Sequence, residues 1–414
     1  MRIAIFSDSL PPRLDGIAVA VQQLAVGLVQ AGHQVLLIGP GENVAEGAQF
    51  LRLPSIRTPF DGYRLAVPLR STMDRTLQLF RPDVVSAQTV GPVGLRGLAL
   101  AREHGVPSLF SWHTDFETYG QTYRISPRLI AAGSYCPFIL DQRRAPDKGP
   151  IPQPGTSRGL IPASLRRASR WMSAVSAPSS GSADQVRRFG LQRPVFVMPA
   201  DVNPANLGMG SEAAHLALRA VPDARVIPYL LFVGRLSREK NLELLIEAFT
   251  RAVPAPIRLV LVGPANDPRM RAMLESRAAE LPDRIVLIGA LPRTHLGEIY
   301  RSAAAFVTPS LSETQCLCVS EAIAAGAPVI AVDPQLAKDR AVGTVRVAAP
   351  NPEALGLAMS DLLTAQRPCG AAAAAAAAKP LESLALRFVA AAESVGRMHD
   401  GATLRWDEGR WIAS

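Results

Sequence analysis

The chain has 414 residues, of which 48% are hydrophobic and 19% charged, a balance typical of a globular protein long enough for two domains with separate cores. No apolar stretch approaches the roughly 18 residues that a membrane-spanning helix needs, and no nucleic-acid reader motif accompanies the net charge of +9. The sequence therefore predicts neither an integral membrane protein nor a nucleic-acid-binding one.

The positive charge lies in the first half of the chain. Residues 1–205 hold 22 basic and 14 acidic side chains, and the basic residues concentrate between Arg124 and Arg193. Such a region would attract an anionic membrane surface or an anionic acceptor. It is also consistent with a solvated face that binds nothing.

The four cysteines, Cys136, Cys316, Cys318 and Cys369, lack the spacing of metal ligands. The chain opens without a signal-peptide pattern, so we expect a cytoplasmic protein with reduced thiols and no bound metal. Any membrane contact is then expected to be peripheral, at the inner face, through the basic first half.

The first forty residues have the pattern of a βαβ unit. Residues 1–7 form an apolar run typical of a buried parallel strand, and the loop that follows ends at Gly16. Apolar residues recur at helical spacing over residues 17–31, and a second strand is expected over residues 34–38. Gly16 suits a tight turn, which is its structural explanation.

A histidine follows one of the later strands of the first half. Strands are expected over residues 82–87 and 106–112, and His113 comes directly after the second. Ligands of doubly wound sheets bind outside the carboxyl ends of strands, so His113 is placed for chemistry, although a lone histidine is more often structural. Residues 126–162, rich in Pro, Gly and Arg, are expected to form an inserted loop.

The second half repeats the alternation of strands and helices. A strand over residues 229–233 leads into a loop with Arg235 and Lys240, and a helix is expected over residues 242–252. Fixed positive charge after a strand can hold a diphosphate leaving group. The other possibility is that both side chains are solvated loop charges.

The stretch from Pro309 to Pro328 reads as a loop and helix after a buried strand. This order aims the first amides of the helix at a ligand and allows them to hold an anion. Glu313 and Glu321 bracket that turn, and carboxylates accept hydrogen bonds from neighbouring hydroxyls. A ligand with both phosphate and polyol, such as a nucleotide sugar, suits this arrangement, although Glu313 could be only a cap and Glu321 only a solvated charge.

Four motifs in the chain resemble those of the large family of retaining glycosyltransferases known as group 1 or family 4. They are Pro-Arg-Leu-Asp-Gly ending at Gly16, His-Thr-Asp-Phe starting at His113, Gly-Arg-x-x-x-x-Lys with Arg235 and Lys240, and Pro-Ser-x-x-Glu-x7-Glu with Glu313 and Glu321. The first two are most similar to the subset of phosphoinositol mannosyltransferases and sulfoquinovosyl glycolipid synthases.

The resemblance implies an α/β fold with two facing Rossmann-like domains, the GT-B arrangement, in which parallel sheets are flanked by helices. The first domain, expected over residues 1–198, lies on the acceptor side, and the second, over residues 199–385, binds the nucleotide sugar. A terminal helix over residues 386–414 is expected to cross back onto the first domain.

The resemblance also assigns roles. His113, Arg235, Lys240 and Glu313 are the expected catalytic residues. The donor is expected to contact these residues: Gly16, Arg235, Lys240, Glu313, Gln315, Cys316, Leu317 and Glu321. Cys316 stands where relatives have glycine, and its side chain narrows the sugar pocket. The junction reads Ala200-Asp201-Val202-Asn203 where relatives generally have Gly-Val-Asp, which puts a donor contact at the junction in doubt.

These expectations describe a retaining, metal-independent hexosyl- or N-acetylhexosaminyltransferase that uses a UDP- or GDP-sugar and needs no cofactor. The favoured acceptor is a small molecule such as an amino sugar or cyclitol, because the inserted loop is not apolar enough to dock on a membrane. One alternative is a glycolipid or phosphoinositide acceptor at the membrane surface. The other, prompted by Cys316, is a protein that binds sugar nucleotides without turnover.

Overall fold

The protein is described by a computed structural model of the whole chain. The residues that the structure describes are 1–13, 15–43, 45–57, 64–67, 69–113, 165–166, 168–200, 202, 207–340, 343–364, 384–395, 403–407 and 410–413. Residues 126–162, expected to form an inserted loop, and Asp201 of the junction lie outside this part. The chain divides into a first unit, Met1–Asp201 with Leu381–Ser414, and a second unit, Val202–Pro380.

Strands and helices alternate along most of the chain. The strands are β1 (Arg2–Phe6), β2 (Gln34–Gly39), β3 (Gln49–Arg52), β4 (Ser55–Arg57), β5 (Arg64–Ala66), β6 (Val84–Ala87), β7 (Ser108–Ser111), β8 (Ala174–Ala177), β9 (Val195–Val197), β10 (Tyr229–Val233), β11 (Arg258–Val262), β12 (Ile285–Gly289), β13 (Ala305–Thr308), β14 (Val329–Ala331), β15 (Val345–Val347), β16 (Thr403–Asp407) and β17 (Arg410–Ala413). The helices are α1 (Gly16–Gln30), α2 (Arg70–Phe80), α3 (Pro92–Glu103), α4 (Ser180–Arg188), α5 (Glu212–Leu218), α6 (Leu242–Ala252), α7 (Pro268–Glu280), α8 (Gly297–Ser302), α9 (Leu317–Ala324), α10 (Gln335–Lys338), α11 (Pro352–Thr364) and α12 (Leu384–Ser394).

The first unit is built on a nine-stranded sheet with the order β17-β16-β9-β8-β7-β6-β1-β2-β3. All neighbours are parallel except β16 and β17, which pair antiparallel. The central strands are short apolar runs buried on both faces, as parallel strands covered by helices must be. The sheet confirms the α/β prediction for this half.

The second unit contains a six-stranded, wholly parallel sheet with the order β12-β11-β10-β13-β14-β15. Alternate residues of β10 lie in two hydrophobic cores, one on each face of the sheet. Leu230 and Phe232 pack with α6 on one face. Tyr229 and Leu231 pack with α8 and α9 on the other. Two faces, each covered by helices, make this unit Rossmann-like, as predicted.

The segment expected as a terminal helix over residues 386–414 is helical only within α12. Beyond residue 395 the described residues form the hairpin β16–β17, in which Trp406 and Trp411 are register partners. Thr403 and Trp406 precede Glu408-Gly409, and Trp411 and Ile412 follow it, so β-favouring residues lie on both sides of a helix-breaking glycine. The prediction of helix for this part is therefore wrong.

Within the described part of the chain, no helix combines the length and the apolar character required to cross a bilayer.

Candidate functional site

Each sheet has a point where the strand order reverses, and ligands of doubly wound folds bind beside such points. In the second unit the reversal falls between β10 and β13. The loops that leave these two strands, residues 234–241 and 309–316, therefore emerge next to each other at the carboxyl edge of the sheet. They carry most of the residues expected to bind the donor.

Lys240 and Glu313 meet across these two loops. The Lys240 Nζ atom lies 2.5 Å from Glu313 Oε1, and the two side chains are only 19% and 11% exposed. Burial acts to lower the pKa of Lys240, but Glu313, Cys316 and Glu239 together outweigh it, so the pKa is raised and the ammonium keeps its charge at neutral pH. An ammonium has three donors and Glu313 takes one, which leaves two for a phosphate oxygen.

Neighbouring side chains fix the two loops that bring this pair together. The carboxylate of Asp333, which follows β14 and is 4% exposed, accepts from the Glu313 backbone N–H at 2.9 Å. The Asn241 side chain donates to the Pro309 carbonyl at 3.3 Å and so ties the loop after β10 to the loop after β13. The Lys240–Glu313 geometry is thus held by one hydrogen bond between the two loops and one from the second loop to Asp333.

Arg235 pairs with another carboxylate, that of Glu239. Its Nη2 atom lies 3.0 Å from Glu239 Oε1, and Ser237 donates to the same carboxylate oxygen at 2.7 Å. The guanidinium is 23% exposed and stands in the same loop as Lys240. Both cations lie in one loop, as the sequence predicted, but they pair with different carboxylates: Lys240 with Glu313 and Arg235 with Glu239.

Helix α9 starts without a side-chain cap, at Cys316. Cys316 has φ +55°, a left-handed conformation that favours glycine, so a side chain here carries backbone strain. Burial raises the pKa of its thiol to about 12, so the thiol stays protonated and is not a nucleophile. Of the first-turn amides, that of Val319 donates to the Cys316 carbonyl at 3.1 Å, and those of Leu317 and Cys318 suit an anion.

Arg340 holds the backbone before this helix. Its Nη2 atom donates to the Gln315 carbonyl at 3.1 Å and to the Ser320 hydroxyl at 3.2 Å. These bonds fix the loop from Gln315 to Leu317, so the first turn of α9 is preorganised.

Glu321 is buried within α9 and has two partners of its own. The Tyr300 hydroxyl donates to Glu321 Oε2 at 2.8 Å, and Arg293 Nε lies 2.7 Å from Oε1. Burial, helped by Cys318 and Glu321, raises the pKa of Tyr300, so the phenol stays a donor. The carboxylate, 5% exposed, is therefore fixed in one orientation and is not a solvated charge.

Glycines with positive φ end three adjacent strands of this sheet: Gly234 after β10, Gly263 after β11 and Gly289 at the end of β12. Gly263 has φ +145°, and a Cβ atom there would lie 1.8 Å from the Gly234 carbonyl oxygen. The loop that carries Arg235 and Lys240 can take its path only because residue 263 has no side chain.

Gly263→Ala is therefore expected to lower the free energy of unfolding by about 3 kcal/mol, through both the clash and the backbone strain. Gly343→Ala is the matched control, because Gly343 also has positive φ but open space at its Cβ position; its expected loss is about 1 kcal/mol. Urea denaturation measures both, and equal losses would contradict the close approach of the two loops.

In the first unit, Gly16 begins helix α1 behind a fixed cap. Asp15 accepts from the Ala18 backbone N–H at 2.8 Å and from the Ser9 hydroxyl, and Arg13 pairs with it. Gly16 does not have positive φ, and a Cβ atom there would meet nothing within 4 Å. Neither the turn nor packing among the described residues requires a glycine here, so the structural explanation of Gly16 fails.

Helix α3 offers a contrast to α9. Asp8, 3% exposed, accepts from the first-turn amides of Val93 and Gly94 at 3.0 and 3.2 Å and from the Thr89 hydroxyl. Burial raises the pKa of Asp8. The start of α3 is thus filled by the protein's own carboxylate, whereas the N-cap residue of α9, Cys316, makes no side-chain capping hydrogen bond.

His113 follows β7 and lies half-buried, with Nε2 2.8 Å from the Gln88 Oε1 atom. The structure places it in the first unit with Gly16 and Asp15. Thr114, Asp115 and Phe116, the rest of its motif, lie outside the described residues.

Sequence reasoning missed several residues that shape the site. Asp333 comes soon after β14, so the rule that placed His113 after a strand could have found it. Tyr300, Arg293, Arg340 and Gln88 act through contacts between distant parts of the chain, for which the sequence has no signal. Among the described residues, no three His, Cys, Asp or Glu side chains are grouped as metal ligands.

Two sequence profiles match the chain: Glycosyltransferase Family 4 over residues 14–205 and Glycosyl transferases group 1 over residues 227–365. A GDP-mannose-dependent alpha-mannosyltransferase of Mycobacterium tuberculosis (strain CDC 1551 / Oshkosh) is 32% identical over 80% of this chain and 79% of its own length. An alpha-monoglucosyldiacylglycerol synthase of Streptococcus pneumoniae (strain ATCC BAA-255 / R6) is 25% identical over 80% of this chain and 71% of its own. The crystal structure of Anabaena Alr3699/HepE in complex with UDP and glucose is 16% identical with a TM-score of 0.69, over 96% of this chain and 100% of that one.

Proposed function

The chain belongs to the group 1 (family 4) glycosyltransferases, which use nucleotide sugars, and has their GT-B fold; on this premise we propose that it transfers a hexosyl group, with retention, from a nucleoside diphosphate sugar to an acceptor hydroxyl. The buried Lys240–Glu313 pair at the switch point of the second unit carries this proposal. It combines a cation for the diphosphate with a carboxylate for the sugar's hydroxyls.

In the proposed reaction the bond between the sugar's anomeric carbon and the diphosphate breaks as the acceptor oxygen bonds to the same face. Negative charge grows on the leaving diphosphate, where Lys240, Arg235 and the first amides of α9 stabilise it. The acceptor's proton passes to the leaving phosphate oxygen. Glu321 holds the ribose of the donor and Glu313 the transferred sugar.

We favour GDP-mannose as the donor, because the most similar relative named above is GDP-mannose-dependent. A UDP-hexose is the second candidate. N-acetylhexosaminyl transfer, also expected from the sequence, has no relative named above in its support.

For the acceptor we favour a lipid hydroxyl over the small molecule expected from the sequence. The relatives supply the reason, since one of them is named as a diacylglycerol glucosyl synthase. The excess of basic residues in the first half would also draw the protein to an anionic bilayer. The small-molecule acceptor stays a prediction.

The test incubates the intact chain with radiolabelled GDP-mannose or UDP-glucose and offers two acceptor sets. One is vesicles that contain diacylglycerol or phosphatidylinositol; the other is a panel of soluble amino sugars and cyclitols. A labelled, solvent-extractable lipid with an α linkage supports the proposal, and a labelled soluble product supports the small-molecule acceptor. Donor binding with neither product nor hydrolysis would identify a binding protein without turnover.

Transfer is expected to be independent of divalent metal, because Lys240 and Arg235 supply the positive charge that a metal would otherwise bring to the diphosphate. Initial rates in excess EDTA should then stay within about two-fold of rates in Mg²⁺ or Mn²⁺. A rate that collapses in EDTA and returns with added metal would contradict this part of the proposal.

A further inference from the structure

Arg293 follows β12 in the second unit and lies in a short, hydrogen-bonded turn, Arg293–His295. The Leu296 backbone N–H donates to the Arg293 carbonyl at 3.1 Å, and helix α8 begins directly after. The turn thus fixes the point from which the Arg293 side chain extends. That side chain is 22% exposed and ends beside the carboxylate of Glu321.

The guanidinium of Arg293 has buried donors that lack an acceptor within the described part of the chain. Its Nε atom lies 2.7 Å from Glu321 Oε1, a close ion pair without the alignment of a hydrogen bond. Nε and Nη2 are both buried, and neither makes a hydrogen bond to a described residue. A buried donor without an acceptor is costly, and most such groups in proteins have a partner. The position of Arg293 therefore indicates that a bound ligand supplies acceptors.

The topology of the sheet places Arg293 on the base side of a bound nucleotide. In the proposed function the diphosphate lies at the loops after β10 and β13, which carry Lys240 and Glu313, and the ribose lies at Glu321. Strand β12 is an edge strand that β11 separates from β10, so it lies on the side away from β13. In a nucleotide the ribose stands between the diphosphate and the base. A residue that reaches Glu321 from the side away from the diphosphate therefore meets the base.

The guanidinium of an arginine fits guanine better than uracil. It is planar and presents paired N–H donors, which match two adjacent acceptors on a ligand. Guanine has such a pair, O6 and N7, and arginine is the side chain that most commonly reads this pair in DNA. The corresponding edge of uracil offers the single acceptor O4.

We propose that Arg293 is a specificity-determining residue for the donor nucleotide, whose guanidinium donates to the O6 and N7 atoms of a guanine base. The inference rests on the proposed function, in which Glu321 holds the ribose. It deepens that function by assigning the choice of base to one side chain, and nucleotide binding tests it without turnover.

The first experiment is a calorimetric titration of the wild-type chain with GDP, with UDP and with 7-deaza-GDP, in which a carbon atom replaces N7. GDP should bind about 10-fold more tightly than either of the others, because each of them offers the guanidinium one acceptor in place of two. This comparison changes only the ligand, so it does not depend on the folding of a variant.

The second experiment uses Arg293→Lys, with Arg277→Lys as the matched control, since Arg277 is an exposed arginine on α7 that pairs with Glu280. The substitution at residue 293 keeps a cation beside Glu321 but removes the paired donors. Arg293→Lys should therefore bind GDP about 10-fold more weakly than wild type and no more tightly than 7-deaza-GDP. It should still prefer GDP to its 2′,3′-dideoxy analogue, because Glu321 is retained. Arg277→Lys should match wild type with every ligand.

Equal binding of GDP and 7-deaza-GDP to wild type, tighter binding of UDP than of GDP, or wild-type selectivity in Arg293→Lys would overturn the proposal. If Arg293→Lys instead weakened GDP, UDP and 7-deaza-GDP by the same factor, Arg293 would act only by holding Glu321, and the base assignment would be wrong.

The same measurements distinguish a failure of this inference from a failure of the proposed function. If wild type selects GDP as expected but transfers no sugar to any acceptor, base recognition by Arg293 stands and the proposed function fails. If wild type transfers mannose from GDP-mannose but binds GDP and 7-deaza-GDP equally, the proposed function stands and this inference fails.

Discussion

Lys240→Met is expected to reduce kcat for sugar transfer by about 10²–10³-fold, because the leaving diphosphate loses a preorganised cation. The same change leaves the Glu313 carboxylate, 11% exposed, without its partner. The free energy of unfolding should therefore fall by about 2–3 kcal/mol. Steady-state kinetics and urea denaturation measure the two effects separately.

Two control variants separate the effect of Lys240→Met on catalysis from its effect on stability. Arg238→Met removes a cation from the same loop, but Arg238 is 45% exposed and lies 3.6 Å from Asp267, so both kcat and stability should stay near wild type. The double variant Lys240→Met/Glu313→Gln removes both charges and should regain most of the lost stability while transfer stays low. Full activity in Lys240→Met would rule out a role for this ammonium at the leaving group.

Glu321→Gln is expected to weaken donor binding by about 30-fold, roughly 2 kcal/mol, because an amide replaces a carboxylate that accepts from the ribose hydroxyls. Calorimetry with GDP and with its 2′,3′-dideoxy analogue tests the reason directly. Wild type should prefer GDP strongly, and Glu321→Gln should distinguish the two nucleotides much less.

Glu280→Gln provides the matched control, since Glu280 is an exposed carboxylate on α7 that pairs with Arg277. Its affinity for both nucleotides should equal that of wild type. If Glu321→Gln instead weakened GDP and the dideoxy analogue equally, Glu321 would act by maintaining its contacts with Arg293 and Tyr300, and the ribose assignment would be wrong.

The fold was predicted from short apolar runs, which indicate buried strands, and from apolar residues at helical spacing. Strand β10 and helix α6 begin and end at the predicted residues, because one is a short buried run and the other an amphipathic segment with clear ends. The hairpin β4–β5 was not predicted. Its strands have three residues each, too few for a periodic signal.

The candidate site was predictable in outline because its residues follow strands. Lys240 and Glu313 come soon after β10 and β13, and parallel strands deliver their loops to one edge of the sheet. The partners of these residues were not predictable: 21 positions separate Tyr300 from Glu321, and 25 separate Gln88 from His113. Such contacts depend on side-chain packing, of which strand and helix patterns give no information.

A calorimetric titration of the intact chain with GDP and with UDP, repeated on Lys240→Met and Arg238→Met, tests the central claim most directly. The account predicts saturable one-to-one binding of at least one nucleotide to wild type and Arg238→Met, and at least about 10-fold weaker binding to Lys240→Met. Equal affinity in all three proteins, or no binding of either nucleotide to a folded wild type, would contradict it.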